Sequence, residues 1–223
     1  ILRRYVRLGL PSGFETFVGA ATFNFFLLLF QSYGITEGAA MAIVFNWDML
    51  NYVPLIGLNI AVTSMIGRYV GSGDMTRANQ VIAAGFTVAL GFSVLLALFF
   101  VLFRYELMLV FATPEQDFSA IAALGASMML GMATYVVADA VILVCSGVLR
   151  GAGDTRWLMN TSMTLHVLML LGQYVMIKHL GVDPLVSWWG FVAMLLTLAL
   201  VYLLRLRGTT WRRPSRLARV MAE

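Results

Sequence analysis

The chain has 223 residues, of which 61% are hydrophobic and 12% are charged, and its mean hydropathy is +0.86. Soluble domains carry about 25% charged residues, so this composition excludes an ordinary soluble protein and indicates a membrane protein. The net charge of +4 is modest. The single cysteine, Cys145, excludes a disulfide within the chain.

Six apolar segments follow one another along the chain, and each has the ~20 residues that a helix needs to cross about 30 Å of hydrocarbon. The predicted spans are 10–33, 38–68, 78–103, 118–149, 156–178 and 185–204. The second and fourth are longer than a perpendicular crossing requires, and Pro54 is a candidate kink in the second. We therefore predict an all-α membrane protein with six transmembrane helices in residues 1–206 and a basic tail in residues 207–223.

Basic residues lie mainly on one side of these predicted helices. That side holds Arg3, Arg4, Arg7, Arg68, Arg77, Arg150, Arg156 and the arginines between 205 and 219, whereas the other side holds Arg104 and Lys178. Because basic loops stay in the cytoplasm, both termini are predicted to be cytoplasmic. Beside a membrane helix, the basic tail is expected to contact the anionic lipid bilayer and not nucleic acid.

Two loops on the arginine-rich side share the pattern G-x-x-x-G-x-G-D, at Gly67–Asp74 and Gly147–Asp154. Glycine suits the left-handed residue that ends a helix, and the aspartate is expected to cap the helix that follows. A phosphate-binding loop is excluded, because neither loop follows a strand or carries the required lysine. The repetition favours two similar helix hairpins, which transporters often contain.

Three acidic residues fall inside predicted spans, namely Glu15, Asp48 and Asp139. An ionised side chain at the centre of a bilayer costs at least ~2.5 kcal/mol, so such groups usually face a bundle interior and mark ion pathways. We expect no lysine or arginine at comparable depth. The partners of these acids are therefore expected to be polar groups, a bound cation or protons.

Glu15 and Asp139 are predicted to lie at similar depth, since the helical rise places them about 12 Å beyond Arg7 and about 16 Å before Arg150. Tyr135 lies one turn before Asp139 and shares its face. Two carboxylates and a hydroxyl suit sodium or a proton. His166 has no second ligand near it, so no transition-metal site is predicted.

A polar stripe on the second span contains Asp48, Tyr52 and Asn59, and it is predicted to line a wet cavity. The alternative is that these residues form hydrogen bonds between helices. Phe26 and Tyr33 share the helical face of Glu15 and are predicted to contact an apolar substrate. Ser162, His166 and Gln173 form a further stripe, which is expected to serve helix packing.

The segments "YVVADAV" and "GVLRGAGDTR" resemble the tenth helix and the following loop of the multidrug and toxic compound extrusion (MATE) transporters. "GRYVGSGDMTRA" resembles the loop after the eighth helix of that family, and "RLGLPSGFE" resembles the start of its seventh helix. The resemblance implies that the chain is the C-terminal six-helix lobe of a twelve-helix transporter. In sodium-coupled members, a glutamate, an aspartate and a tyrosine form a cation site, and these positions match Glu15, Asp139 and Tyr135. Asp48 matches no family position.

By this resemblance, the expected function is antiport, in which sodium or proton entry drives the export of small organic and often cationic drugs. The resemblance implies a bacterial inner (plasma) membrane protein without a cofactor and with no metal beyond sodium. Its expected partner is an N-terminal six-helix lobe from the same polypeptide or from a second half-size chain. The alternatives are a lipid-linked sugar flippase of the same superfamily and a non-transporting membrane subunit. An acidic interior without arginine favours the antiporter, and no residue pattern supports an enzyme.

Overall fold

The structure is a computed structural model that describes residues 2–112 and 118–212, without the side chains of residues 2–8, 11, 12 and 210. The predicted tail therefore lies outside the described residues from position 213 onward. The side chains of Arg3, Arg4 and Arg7, which contribute to the predicted orientation, also lie outside them.

Helices make up all the regular secondary structure of the described residues. The six long ones are α1 (Leu2–Gln31), α2 (Ile35–Gly71), α3 (Met75–Leu102), α5 (Ser119–Gly151), α6 (Thr155–Tyr174) and α7 (Pro184–Arg207). Each corresponds to one predicted span, and α2 continues through Pro54. Five of the six are long and apolar enough to cross a membrane, and α6 is not among them. The predicted helical fold is confirmed.

Three short elements were not predicted. A helix of six residues, α4 (Arg104–Leu109), follows α3, and a three-residue 3₁₀ turn, Thr210–Arg212, follows α7. α6 ends in a π-helical turn, Val175–His179, so the predicted fifth span covers an α-helix and this turn. Local distortions of this kind leave the hydropathy of a segment unchanged, and the apolar pattern therefore does not report them.

The two G-x-x-x-G-x-G-D loops end their helices in the same way but use their aspartates differently. Gly73 and Gly153 have left-handed backbones, with φ of 77° and 81°. Asp74 caps α3 as predicted, since its Oδ1 accepts from the Arg77 amide at 3.0 Å. Asp154 makes no side-chain cap on α6, so that prediction is wrong. The Asp154 carboxylate instead accepts two hydrogen bonds from Arg205, at 2.7 and 2.9 Å.

The lobe divides into two groups of helices. α5 is the central helix, and it packs against α2, α3 and α7, whereas α1 packs mainly against α6. α2 and α5 approach closely because two glycines of α5 face α2. A Cβ at Gly147 would lie 3.0 Å from the Asn59 carbonyl oxygen, and one at Gly151 would lie 2.6 Å from that of Thr63. The small-xxx-small spacing of these glycines is typical of close helix contacts in membranes.

Buried apolar side chains form two clusters along the helix axes. One contains Phe26, Phe30, Trp188 and Phe191, and the other contains Leu55, Val62, Val148 and Tyr202. On α5 the boundary between them falls between Val136 and Ala140. The polar residues described next lie at this boundary.

Candidate functional site

The three acidic residues predicted inside the membrane occupy two separate places. Asp48 of α2 and Asp139 of α5 lie together and interact electrostatically. Glu15 of α1 instead forms an ion pair with Arg150, the last but one residue of α5. The structure therefore joins Asp139 to an acid that matches no family position, and not to Glu15.

Asp48, Asp139 and Tyr135 form the acidic cluster. The two carboxylates are 7% and 9% exposed and Tyr135 is 1% exposed, so the cluster is buried in the lobe. The Tyr135 hydroxyl lies near Asp48. Neither this hydroxyl nor Asp48 Oδ1 makes a hydrogen bond of acceptable geometry to any described residue. Buried polar atoms are nearly always satisfied, so these two neighbouring oxygens, which no other described residue satisfies, are candidate ligands for a bound species.

Asn51 fixes the relative position of the helices that carry the cluster. It lies one turn after Asp48, and its Nδ2 donates to the Val136 carbonyl of α5 at 3.4 Å. Its Oδ1 accepts from Ser93 Oγ of α3 at 2.8 Å. Because Val136 lies between Tyr135 and Asp139, these bonds hold α2 in the register that brings the carboxylates together.

The polar stripe of α2 separates into two parts. Tyr52 is 39% exposed and interacts electrostatically with both Asp48 and Asp139, so it belongs to the surroundings of the acidic cluster. Asn59 is 7% exposed, and its amide donates to the Leu143 carbonyl at 2.6 Å and to Ser146 Oγ at 3.0 Å. For Asn59 the structure thus shows the alternative arrangement, a hydrogen bond between helices.

Glu15 has a basic partner, which the sequence did not indicate. Its Oε2 is 3.2 Å from Arg150 Nη2. Arg150 follows Asp139 by eleven residues of continuous helix, which is about 16 Å. The expectation that no basic residue neutralises Glu15 is therefore wrong, whereas its common depth with Asp139 stays a prediction.

Residues of two further helices surround the Glu15–Arg150 pair. His166 of α6 and Tyr202 of α7 both interact electrostatically with Glu15. His166 Nδ1 is 2.8 Å from the Ser162 carbonyl oxygen, one turn earlier on α6. Farther along α6, Gln173 Oε1 accepts from Ser187 Oγ at 2.6 Å, which fits the packing role predicted for that stripe.

The two residues predicted to contact substrate are engaged within the lobe. Phe26 is 0% exposed and stacks on Phe191 of α7 with 4.7 Å between ring centres. The Tyr33 hydroxyl donates to the Val182 carbonyl at 2.9 Å. In this conformation Phe26 contacts only protein, because no part of its side chain is exposed.

A scan against protein-family models matches residues 11–175 of the chain to the MatE model. Solved structures share the fold. A MATE transporter in complex with MaL6 aligns with a TM-score of 0.81 and 18% identity. A eukaryotic MATE transporter aligns with a TM-score of 0.83 and 17% identity. A MOP superfamily transporter from Pyrococcus furiosus, described as having a binding pocket of reverse polarity, aligns with a TM-score of 0.78 and 18% identity.

These alignments cover nearly all of the chain but less than half of each solved structure. They include 100%, 98% and 95% of this chain, against 48%, 48% and 44% of the three structures in the same order. The chain thus spans about half the length of the proteins it resembles in fold.

Proposed function

Because the chain belongs to the MatE family of membrane transporters, we propose that it is one lobe of a cation-coupled antiporter that exports small organic cations. Transporters of this family are not enzymes, and the chain is accordingly a membrane transport protein. The observation that carries the proposal is the acidic cluster, in which two buried carboxylates lie together with oxygens that no other described residue satisfies.

Two adjacent carboxylates cannot both remain ionised in a low-dielectric interior unless a positive species lies between them. Sodium meets this requirement, because it accepts oxygen ligands, and a proton meets it equally. Asp48 and Asp139 would supply the charge, and the Tyr135 hydroxyl would supply a neutral oxygen. Entry of the ion would then change the charge at the contact between α2 and α5, and this couples the ion to the conformation of the lobe.

Glu15 keeps a place in the proposal because it matches the family glutamate, although here it pairs with Arg150. The presence of this arginine weakens the expectation of an interior free of basic charge. The acidic cluster still favours a cationic substrate, because the ion pair neutralises Arg150. The flippase alternative would require positive charge exposed to an anionic substrate.

The proposed transporter needs a second six-helix lobe, since the solved relatives are about twice as long as this chain. We propose that this lobe comes from the same polypeptide or from a second half-size chain. The predicted setting is a bacterial inner membrane with cytoplasmic termini. The concentration of arginines around Arg68, Arg77 and Arg150 at one end of the bundle supports that orientation.

The test is transport by the complete two-lobe protein in liposomes, with sodium and pH gradients imposed separately and efflux of a fluorescent organic cation as the readout. Asp139→Asn is expected to reduce ion-driven efflux at least ~10-fold, because a group that binds the driving ion is essential to coupling. Glu106→Gln, which changes an exposed acid of α4, is the matched control. Unchanged efflux in Asp139→Asn would contradict the proposed role of Asp139 in ion coupling, whereas absence of ion-driven efflux from the unchanged protein would favour a non-transporting subunit.

A further inference from the structure

The Glu15–Arg150 ion pair joins α1 to α5, two helices that otherwise touch little. α1 packs mainly against α6, and α5 packs mainly against α2, α3 and α7. Within the described residues, α1 and α5 have almost no backbone contact, and α5 and α6 have few. The side chains of Glu15 and Arg150 therefore bridge a seam between the α1–α6 pair and α5, while the Phe26–Phe191 stack and the Gln173–Ser187 hydrogen bond connect the same pair to α7.

This ion pair has the geometry of an exchangeable contact. It consists of one hydrogen bond of 3.2 Å, and Arg150 Nε is buried with no hydrogen-bond partner among the described residues. The Arg205–Asp154 pair provides a comparison within the same chain. It has two bonds, of 2.7 and 2.9 Å, and its guanidinium lies 4.9 Å from the ring centre of Trp157. Ion pairs with two short hydrogen bonds are stronger than those with one long bond. The Arg150–Glu15 pair is therefore weaker than the Arg205–Asp154 pair.

The buried surroundings of Glu15 make an ionised carboxylate unfavourable unless a positive group lies beside it. Glu15 is 9% exposed, and charge–charge attraction strengthens as the surrounding dielectric falls. The guanidinium of Arg150 supplies this positive group. A second cation at Glu15 would compete with Arg150, because two positive charges beside one carboxylate repel each other.

We propose that Arg150 is a positioning residue that competes with the coupling cation for Glu15. When Arg150 holds Glu15, the α1–α6 pair is tied to α5. When a cation takes Glu15, the tie across the seam is released, and Arg150 is free to move on the same helix that carries Asp139. Binding of the ion and separation of the seam are thereby linked, and each changes the equilibrium of the other by the same factor. This inference rests on the cation coupling proposed above and adds a residue to it.

The experiment measures sodium binding to the purified two-lobe protein by the sodium dependence of its thermal unfolding temperature. Arg150→Gln is expected to tighten the apparent sodium affinity about tenfold, which is within the usual range of coupling between sites. Glu15→Gln combined with Arg150→Gln is expected to remove that gain. Arg156→Gln, an exposed arginine six residues further along the chain, is the matched control and is expected to leave the affinity unchanged.

The outcomes separate this inference from the proposed function. If the unchanged protein responds to sodium and Arg150→Gln has the same or a weaker affinity, competition by Arg150 is refuted and cation coupling remains. If neither the unchanged protein nor Arg156→Gln responds to sodium, sodium coupling itself fails, and the competition fails with it. Should Arg150→Gln not fold, Arg150→Lys keeps the charge with a single donor group and is expected to tighten sodium binding about threefold. An unchanged affinity in Arg150→Lys would then refute the competition.

Discussion

Asn51 of α2 donates its side-chain amide to the carbonyl of Val136 on α5, and this bond sets the register in which Asp48 lies beside Asp139. The same amide group accepts from Ser93, so three helices meet at one fully buried side chain. The position of the acidic cluster therefore depends on a neutral residue that links three helices.

Replacing Asn51 with alanine is expected to lower the stability of the lobe by about 1 kcal/mol, because two buried hydrogen bonds are lost and the Ser93 hydroxyl is left without its acceptor. Asn46→Ala is the matched control on the same helix, since Asn46 is exposed and bonds only to Ala42 of α2. Thermal unfolding in detergent measures both. Equal stabilities of the two variants would show that Asn51 does not fix the contact between α2 and α5.

The close approach of α2 and α5 is expected to make Gly151 intolerant of any side chain. A Cβ there would lie 2.6 Å from the Thr63 carbonyl oxygen, which is backbone and cannot rotate away. Gly151→Ala should therefore lower the unfolding temperature, with a cost of about 1–3 kcal/mol. Gly91→Ala places the same methyl group where nothing lies within 4 Å, and it should leave stability unchanged or slightly higher. A neutral Gly151→Ala would contradict the packing described for these helices.

Hydropathy was sufficient to locate the six long helices, because the length and apolar character of a membrane span are properties of one segment alone. The left-handed glycines of the repeated loops were also predictable from local sequence. The neighbours of each acidic residue were not predictable from local sequence, because they depend on which helices pack together and on how each helix is rotated. The pairing of Asp48 with Asp139 is of this kind.

The partner of Glu15 could not be read from the sequence for the same reason, since Arg150 lies 135 residues further along the chain on another helix. Asp154 shows a second limit. Its loop has the same pattern as that of Asp74, but Arg205 arrives from a helix some fifty residues later and takes its carboxylate.

The two loop aspartates are expected to differ in what they contribute to stability. Asp154→Asn removes the charge that faces Arg205, whose side chain is 16% exposed, and should cost about 2–3 kcal/mol because a largely buried guanidinium is left without its counter-charge. Asp74→Asn should cost less than about 0.5 kcal/mol, since asparagine caps a helix about as well as aspartate. Thermal unfolding of the two variants side by side measures the difference. Equal losses would mean that Asp154 acts as an ordinary cap.

Asp48 and Asp139 are expected to act as a unit, since one positive species between them would serve both carboxylates. Asp48→Asn and Asp139→Asn should each remove the contribution of the acidic cluster to the response of the unfolding temperature to sodium or to pH, leaving what Glu15 contributes, and the double variant should lose no more than either single one. Such non-additivity is typical of residues that share one interaction. Glu106→Gln, at an exposed acid, should keep the full response. If Asp48→Asn retains the response and only Asp139→Asn loses it, Asp48 is not part of the ion site and the cation is held by Asp139 and other groups.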